Sequence, residues 1–319
     1  MMKKKLLTLL LVAIIAIAAW FGYTTTHETS AGKHLTTVTI GYQKADPVAI
    51  AKARGELAKK MQQKGYKVVF KEFQDGTALT TALQSGDIDY ARIGDVPPVT
   101  AQANGLGFVY IAAGSDKVNG SGIEVKKNSK ITSIADLKGK TIAYTKGTSA
   151  QFMVIQALKK AGLTTDDVKL VNMDQSAAAV AFAKGTVDAW ATWDPYTSTA
   201  EVNADATLLV NGTGLAKNRD FVVATKQYAA THKTVSKYLT KYLAEDMTWA
   251  NTHKPQLITM LTKMLKLKRS IITKMVNRRE YSMGAVTTSI LKEQQTIADV
   301  FYDQGVITKQ IDVTDATVK

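Results

Sequence analysis

Four histidines and no cysteine leave little from which to build a catalytic centre. His27 and His34 lie near the N-terminus, and His232 and His253 sit in polar helical stretches. Neither a nucleophile triad nor a metal-ligating cluster can be assembled from them. Gly139-Lys140-Thr141 ends like a phosphate-binding loop, but the glycine needed five positions upstream is Ile134. Gly105-Leu106-Gly107 lacks the third glycine of a dinucleotide fingerprint, and Gly120-Ser121-Gly122 reads as a hinge or turn. The expectation is therefore no catalytic residue, no metal and no cofactor.

What remains is a set of helix starts led by small or capping residues: Asp75-Gly76-Thr77, Gly94-Asp95-Val96-Pro97 and Gly147-Thr148-Ser149. Exposed backbone N–H groups and the helix dipole make such ends anion sites, each contributing about 0.3 to 2 kcal/mol. In open α/β lobes ligands bind beyond the carboxyl ends of the strands, where these turns must lie. An anion with several acceptor oxygens and no proton needs donors rather than a base, and Gln43, Thr148 and Ser149 supply them. Trp190 to Tyr196 offers an aromatic wall; alternation puts Trp190 in the core and leaves Trp193 as the candidate for ligand contact. Asp194 is a candidate acceptor for a ligand amine, and for both Asp95 and Asp194 structural capping stands beside binding.

The elements that must carry these turns repeat. Thr39-Ile40-Gly41-Tyr42-Gln43-Lys44 recurs as Thr141-Ile142-Ala143-Tyr144-Thr145-Lys146, and Gly86, Asp89 and Asp95 are matched in spacing by Gly185, Asp188 and Asp194. Strands alternate with helices in both halves, which predicts an α/β protein of two lobes with mainly parallel sheets. Helices are expected over Pro47 to Lys64, Thr77 to Gln84 and Ala150 to Ala161. Beyond Phe221-Val222-Val223-Ala224, the stripe Val235, Tyr238, Leu239, Tyr242, Leu243 and Met247 predicts core packing. Short strand-like crossings are expected near Gly120 to Glu124 and Asp220 to Ala224.

With 319 residues, 45% hydrophobic and 21% charged, the chain can bury a core in each of two domains. Leu6 to Tyr23 carries no charge and follows Lys3, Lys4 and Lys5, the pattern of an export signal or an uncleaved anchor. Ala16-Ile17-Ala18 and Thr29-Ser30-Ala31 both suit cleavage, and the absence of cysteine excludes a lipidated anchor. Removing Lys3, Lys4, Lys5, Lys33 and Glu28 leaves 37 basic against 26 acidic residues from Thr36 onward, a surplus of +11. The lysines are dispersed without interleaved aromatics, so the charge suits an anion-gathering surface facing the cell envelope better than a nucleic-acid interface.

Longer motifs carry a family resemblance. Ile40-Gly41-Tyr42-Gln43-Lys44, Gly94-Asp95-Val96-Pro97-Pro98, Asp136-Leu137-Lys138-Gly139-Lys140, Lys146-Gly147-Thr148-Ser149, Asp188 to Tyr196, Arg278-Arg279-Glu280-Tyr281 and Ala298 to Tyr302 follow in order. Together they resemble the aliphatic-sulfonate-binding proteins of ABC importers, within the taurine and nitrate receptor group, from Val38 to Val313. The resemblance implies a type II periplasmic-binding-protein fold whose lobes close on a small organosulfonate or related anion. It also implies docking on a membrane permease with a cytoplasmic ATPase, as a monomer outside the cytoplasm. Gln43, Gly94, Asp95, Thr148, Ser149 and Trp193 would line the cleft, with Asp194 and Arg279 beside them. Residues 1–35 would form the signal peptide or anchor with a spacer, 36–121 and 223–319 lobe 1, and 122–222 lobe 2. Thr148 stands where many relatives have serine, and Ser282-Met283 interrupts the commoner tyrosine-glycine pairing, which leaves tail preference open. A pyrimidine-synthase-like enzyme shares the general fold, and an envelope-binding surface protein would exploit the charge; histidine scarcity opposes the first.

Overall fold

The computed structural model describes residues 35–318. In chain order its elements are β1 (Thr36–Tyr42), α1 (Pro47–Arg54), α2 (Glu56–Gln63), β2 (Tyr66–Glu72), α3 (Gly76–Ser85), β3 (Tyr90–Ile93), α4 (Val96–Ala103) and β4 (Phe108–Gly114). There follow β5 (Ser121–Lys126), β6 (Thr141–Tyr144), α5 (Ser149–Lys160), β7 (Lys169–Asn172), α6 (Gln175–Lys184), β8 (Ala189–Trp193), α7 (Tyr196–Asn203) and β9 (Ala206–Asn211). The chain closes with β10 (Phe221–Thr225), α8 (Lys226–Thr231), α9 (Lys233–Thr252), α10 (Lys254–Leu265), α11 (Arg269–Asn277), β11 (Met283–Gly284) and α12 (Thr288–Asp303).

Two sheets result. The first has the order β11-β4-β10-β3-β1-β2 and the second β7-β6-β8-β5-β9. Each has a parallel centre, β1 with β3 and β6 with both β7 and β8. Each also carries one strand laid against the grain: β10 runs antiparallel to β3 and β4, and β5 antiparallel to β8 and β9. The mainly parallel expectation holds only for the centres, because β5 and β10 are the strands by which the chain enters one sheet from the other. The crossings themselves run through 115–120 and 212–220, just upstream of the positions expected from sequence, where β5 and β10 are already paired.

The internal repeat has a structural cause. Asp89 Oδ2 accepts from Thr39 N at 2.7 Å, and Asp188 Oδ2 accepts from Thr141 N at 2.8 Å, so each aspartate ties a strand, β1 or β6, to the turn before its parallel neighbour, β3 or β8. Gly86 and Gly185 end α3 and α6 with φ of 79° and 73°, the left-handed conformation that glycine adopts without steric penalty. Where a single helix was expected over Pro47 to Lys64, Gly55 at φ 77° splits it into α1 and α2. The α9 stripe is core: Val235, Leu239, Tyr242, Leu243 and Met247 are buried against Ile40, Tyr90 and Val222, with Tyr238 half-buried at the margin. A second core joins β5, β6 and α5 to Val96 and Val99 of α4 and to Ile297 and Phe301 of α12. No helix among the described residues is long and apolar enough to cross a membrane, and Leu6 to Tyr23 lies outside them.

Candidate functional site

The carboxyl ends of β1, β3 and β4 present Gln43, Gly94-Asp95 and the first crossing. Between them lies a buried ionic cluster. Arg92, on β3, sets Nε 3.4 Å from Asp46 Oδ2, donates Nη1 to Gln43 Oε1 at 3.2 Å, and pairs Nη2 with Asp220 Oδ1. Asp220 also receives Lys117 Nζ at 2.6 Å and Arg279 Nη2 at 3.3 Å. Arg279 lies over the Tyr281 ring, 4.4 Å from its centroid. Three basic side chains thus contact two carboxylates directly, and the Asp95 carboxylate lies close enough to act on Arg92 and Lys117. Burial, then repulsion from Arg92 and Arg279, pushes the Lys117 ammonium well below its usual pKa. Burial raises the Asp46 carboxyl, which Arg92 opposes.

Asp46 also builds the local backbone. As the cap of α1 it accepts from Ala49 N at 2.7 Å and Gln43 N at 2.8 Å, which folds the β1–α1 turn over Arg92. Gln43 is held at both ends, its oxygen on Arg92 and its Nε2 donating to Gln74 O at 3.1 Å. One N–H of that amide remains for a ligand.

In the second sheet, β6 ends at the turn that starts α5. Thr148 caps the helix, accepting from Ala150 N at 3.3 Å while donating to Thr145 O at 2.7 Å. Gly147 N donates to Gln151 Oε1 at 2.7 Å. Ser149, the first residue of α5, is buried, and its hydroxyl has no hydrogen-bond partner among the described residues. The helix end therefore offers a free hydroxyl where the dipole favours an anion.

The other candidates sit differently. Asp95 leads α4 but makes no side-chain capping bond; Oδ2 accepts from Arg219 N at 3.2 Å, Oδ1 has no partner, and burial raises its carboxyl. Gly94 precedes it, half-buried. Trp190 is core, as expected, while Trp193 is half-buried and packs on the second core. Asp194 is engaged within the protein: Oδ1 accepts from Ser198 N at 3.0 Å and Oγ at 2.6 Å, and Oδ2 lies 3.6 Å from Arg278 Nε. Gln43 and Arg279 join one network through Arg92 and Asp220. Thr148, Ser149, Trp193 and Asp194 make no hydrogen bond to it among the described residues.

Sequence reasoning missed Asp46, Arg92, Lys117 and Asp220. Arg92 carried a signal, a charge inside the four-residue apolar strand Tyr90–Ile93, which only a buried partner could support. The others looked like ordinary surface charges. Among the described residues no group of three or more histidine, aspartate or glutamate side chains is arranged to hold a metal ion.

Residues 61–256 match the family described as NMT1/THI5 like. The crystal structure of the periplasmic aliphatic sulphonate binding protein SsuA from Escherichia coli superimposes with a TM-score of 0.84 at 31% identity, over 89% of this chain and 92% of that one. The chain belongs to the NMT1/THI5-like family, in its aliphatic-sulfonate-binding group. A second member of that group, the alkanesulfonate-binding protein SsuA from Xanthomonas axonopodis pv. citri bound to MOPS, gives a TM-score of 0.82 at 31% identity, covering 89% of this chain and 98% of that one. The taurine-binding periplasmic protein of Escherichia coli (strain K12) is 26% identical over 257 residues, 76% of this chain and 78% of its own length. The likeness agrees with the two-lobed, two-sheet α/β architecture described above.

Proposed function

We propose that this protein is the extracytoplasmic solute receptor of an ABC importer, that it captures aliphatic sulfonates and that it catalyses no reaction. The observation that carries the reading is the unpartnered Ser149 hydroxyl at the start of α5, in a fold that aligns over nine-tenths of a sulfonate-binding protein. The sulfonate headgroup, three acceptor oxygens with no proton near neutral pH, suits the Ser149 hydroxyl and the amides at the start of α5 on one side, in the turn that the Thr148 hydroxyl holds by bonding Thr145 O. Gln43 and the Gly94 turn face it from the other, with Arg92 holding the Gln43 amide in place. Trp193 meets the apolar tail. Asp95, Asp194 and Arg279 stand behind this lining and shape it.

The two bodies that close on the ligand carry the sheet of β1–β4, β10 and β11 and the sheet of β5–β9, with the crossings 115–120 and 212–220 between them in place of the boundaries at 121 and 222 expected from sequence. The closed form docks, as a monomer, on a permease with a cytoplasmic ATPase. Leu6 to Tyr23 tethers the protein to the membrane, a role supported by its length, by the lysines before it and by the absence of cysteine.

The test is a thermal-shift and calorimetric screen of the full-length protein against methane-, ethane- and butanesulfonate, taurine, sulfate and nitrate. A ligand at a hundred times its dissociation constant adds about 2.7 kcal/mol of stability. Alkanesulfonates should stabilise the protein and sulfate and nitrate should not. Stabilisation by nitrate alone would move the receptor to another anion, and turnover of any ligand would end the receptor reading.

A further inference from the structure

The edge of the first sheet where its parallel strands begin carries a basic face. Thr36 opens β1 there, and the neighbouring β2 begins at the same edge, because Phe73 N, just past β2, donates to Tyr42 O at the end of β1 at 2.8 Å. Tyr66, the first residue of β2, has its ring centroid 6.5 Å from that of Tyr238, so the N-terminal half of α9 flanks this edge. Tyr90, the first residue of β3, reaches the same helix, its Oη 2.8 Å from Ser236 Oγ.

Lys233, Lys237 and Lys241 recur at every fourth residue of α9, and all are exposed. Lys64, just past α2, sets its ammonium 5.5 Å from the centre of the Tyr238 ring. Among the described residues no carboxylate lies within ion-pairing distance of these lysines, and the acidic side chains of this end are engaged elsewhere. Glu245 holds Lys60 at 2.6 Å, Asp89 accepts from Thr39 N, and Asp87 accepts from Ser85 Oγ at 2.6 Å. Like charges four residues apart on a helix destabilise it, so nothing within the fold explains the row. An outside anionic surface would.

We propose that this face lies on an anionic lipid surface, the bilayer that holds Leu6 to Tyr23. The inference rests on the tether reading given above and goes beyond it by fixing which side of the body meets the membrane. The chain enters the body at Thr36, on the same edge as the lysines, and residues 24–35 reach at most about 40 Å when fully extended. Attraction between exposed charges fades beyond a Debye length of about 8 Å at physiological salt, so these lysines act only on a surface to which the body is held closely. A tether provides that closeness by making a weak encounter intramolecular. Tyr66 and Tyr238, half-buried beside the lysines, have the apolar ring and polar tip that suit a headgroup layer.

The chain has no cysteine, so a single one at Thr234, exposed on α9 between Lys233 and Lys237, can carry a fluorophore alone. Thr186, exposed in the turn before β8, carries it in the control. Each labelled full-length protein is mixed with vesicles of phosphatidylcholine, alone or with phosphatidylglycerol, both containing a headgroup-quencher lipid. Thr234→Cys is expected to lose fluorescence in the anionic vesicles only and to recover it as salt is raised, while Thr186→Cys stays bright in both. Lys233→Glu, Lys237→Glu and Lys241→Glu together should return the Thr234→Cys signal to its neutral-vesicle value; the salt titration decides the matter if that variant does not fold. No loss in anionic vesicles, equal loss in neutral ones, equal loss at Thr186 or a loss that neither salt nor charge reversal relieves overturns the proposal. Binding of soluble polyphosphate without quenching in anionic vesicles assigns the face to a free polyanion and overturns it too. Flotation with the neutral vesicles reports separately on the tether: a protein that does not float there loses the anchor, while quenching in the anionic vesicles still decides the face.

Discussion

Ser149 and Glu124 show how one side chain's surroundings become a measurable property. Ser149 brings a free hydroxyl to a helix N-terminus, and a hydrogen bond to a charged group contributes about 1.5 to 3 kcal/mol. Ser149→Ala should therefore weaken every alkanesulfonate by roughly tenfold or more, equally for methane-, ethane- and butanesulfonate, as calorimetry can check. Trp193→Ala should behave differently, since a contact at about 25 cal/mol per Å² of apolar area grows with each methylene of the tail. A Trp193→Ala penalty that ignores chain length would remove tryptophan from the tail site. Glu124 is a different case, fully buried in β5 with neither carboxylate oxygen hydrogen-bonded. Burial first, then Glu201, pushes its carboxyl from 4.5 up to about 8, against the pull of Arg278. Because the folded pKa lies above the unfolded one, its contribution to stability is complete below about pH 4.5 and is lost as pH rises through about 8. Glu124→Gln should flatten the fall of melting temperature between about pH 4.5 and pH 8. Parallel curves for the two proteins would mean that Glu124 finds a partner in solution.

At the level of elements, the repeat legible in the sequence proves to be a repeated strand tie. Asp89 and Asp188 are alike in spacing, and the structure gives both the same duty, an acceptor for a backbone amide of a parallel strand. The Thr39 bond is partly buried and the Thr141 bond is exposed, so water can replace the second more readily. Asp89→Ala should cost about 1 to 3 kcal/mol and Asp188→Ala less, by urea unfolding at neutral pH. Equal losses would show that exposure does not separate them. Helices were legible where apolar spacing was clear, as in α9, and misread where one glycine decided the outcome, as at Gly55. The antiparallel β5 and β10 were invisible as such, because a strand's direction in its sheet depends on where the chain arrives from and leaves no mark on its own residues.

For the whole molecule, two crossings join two sheets, and short double connections of this kind permit closure of a cleft by rotation about them. Ligand should shift the population toward a closed form, and small-angle scattering should show a smaller radius of gyration with saturating sulfonate than without. An unchanged profile at calorimetrically verified saturation would refute closure. The sequence by itself determined the α/β class, the order of the elements, the repeated strand–helix plan and the turns Gly94-Asp95 and Gly147-Thr148-Ser149, because periodicity, capping and glycine conformation are local. Tertiary structure alone decided which charges matter. Asp46, Arg92, Lys117, Asp220 and Arg279 come from five distant places and share one buried network, while Asp95 and Asp194, alike in the repeat, end in unlike surroundings. Desolvation and Coulomb energy depend on what lies within a few ångströms in space, and separation along the chain does not encode that.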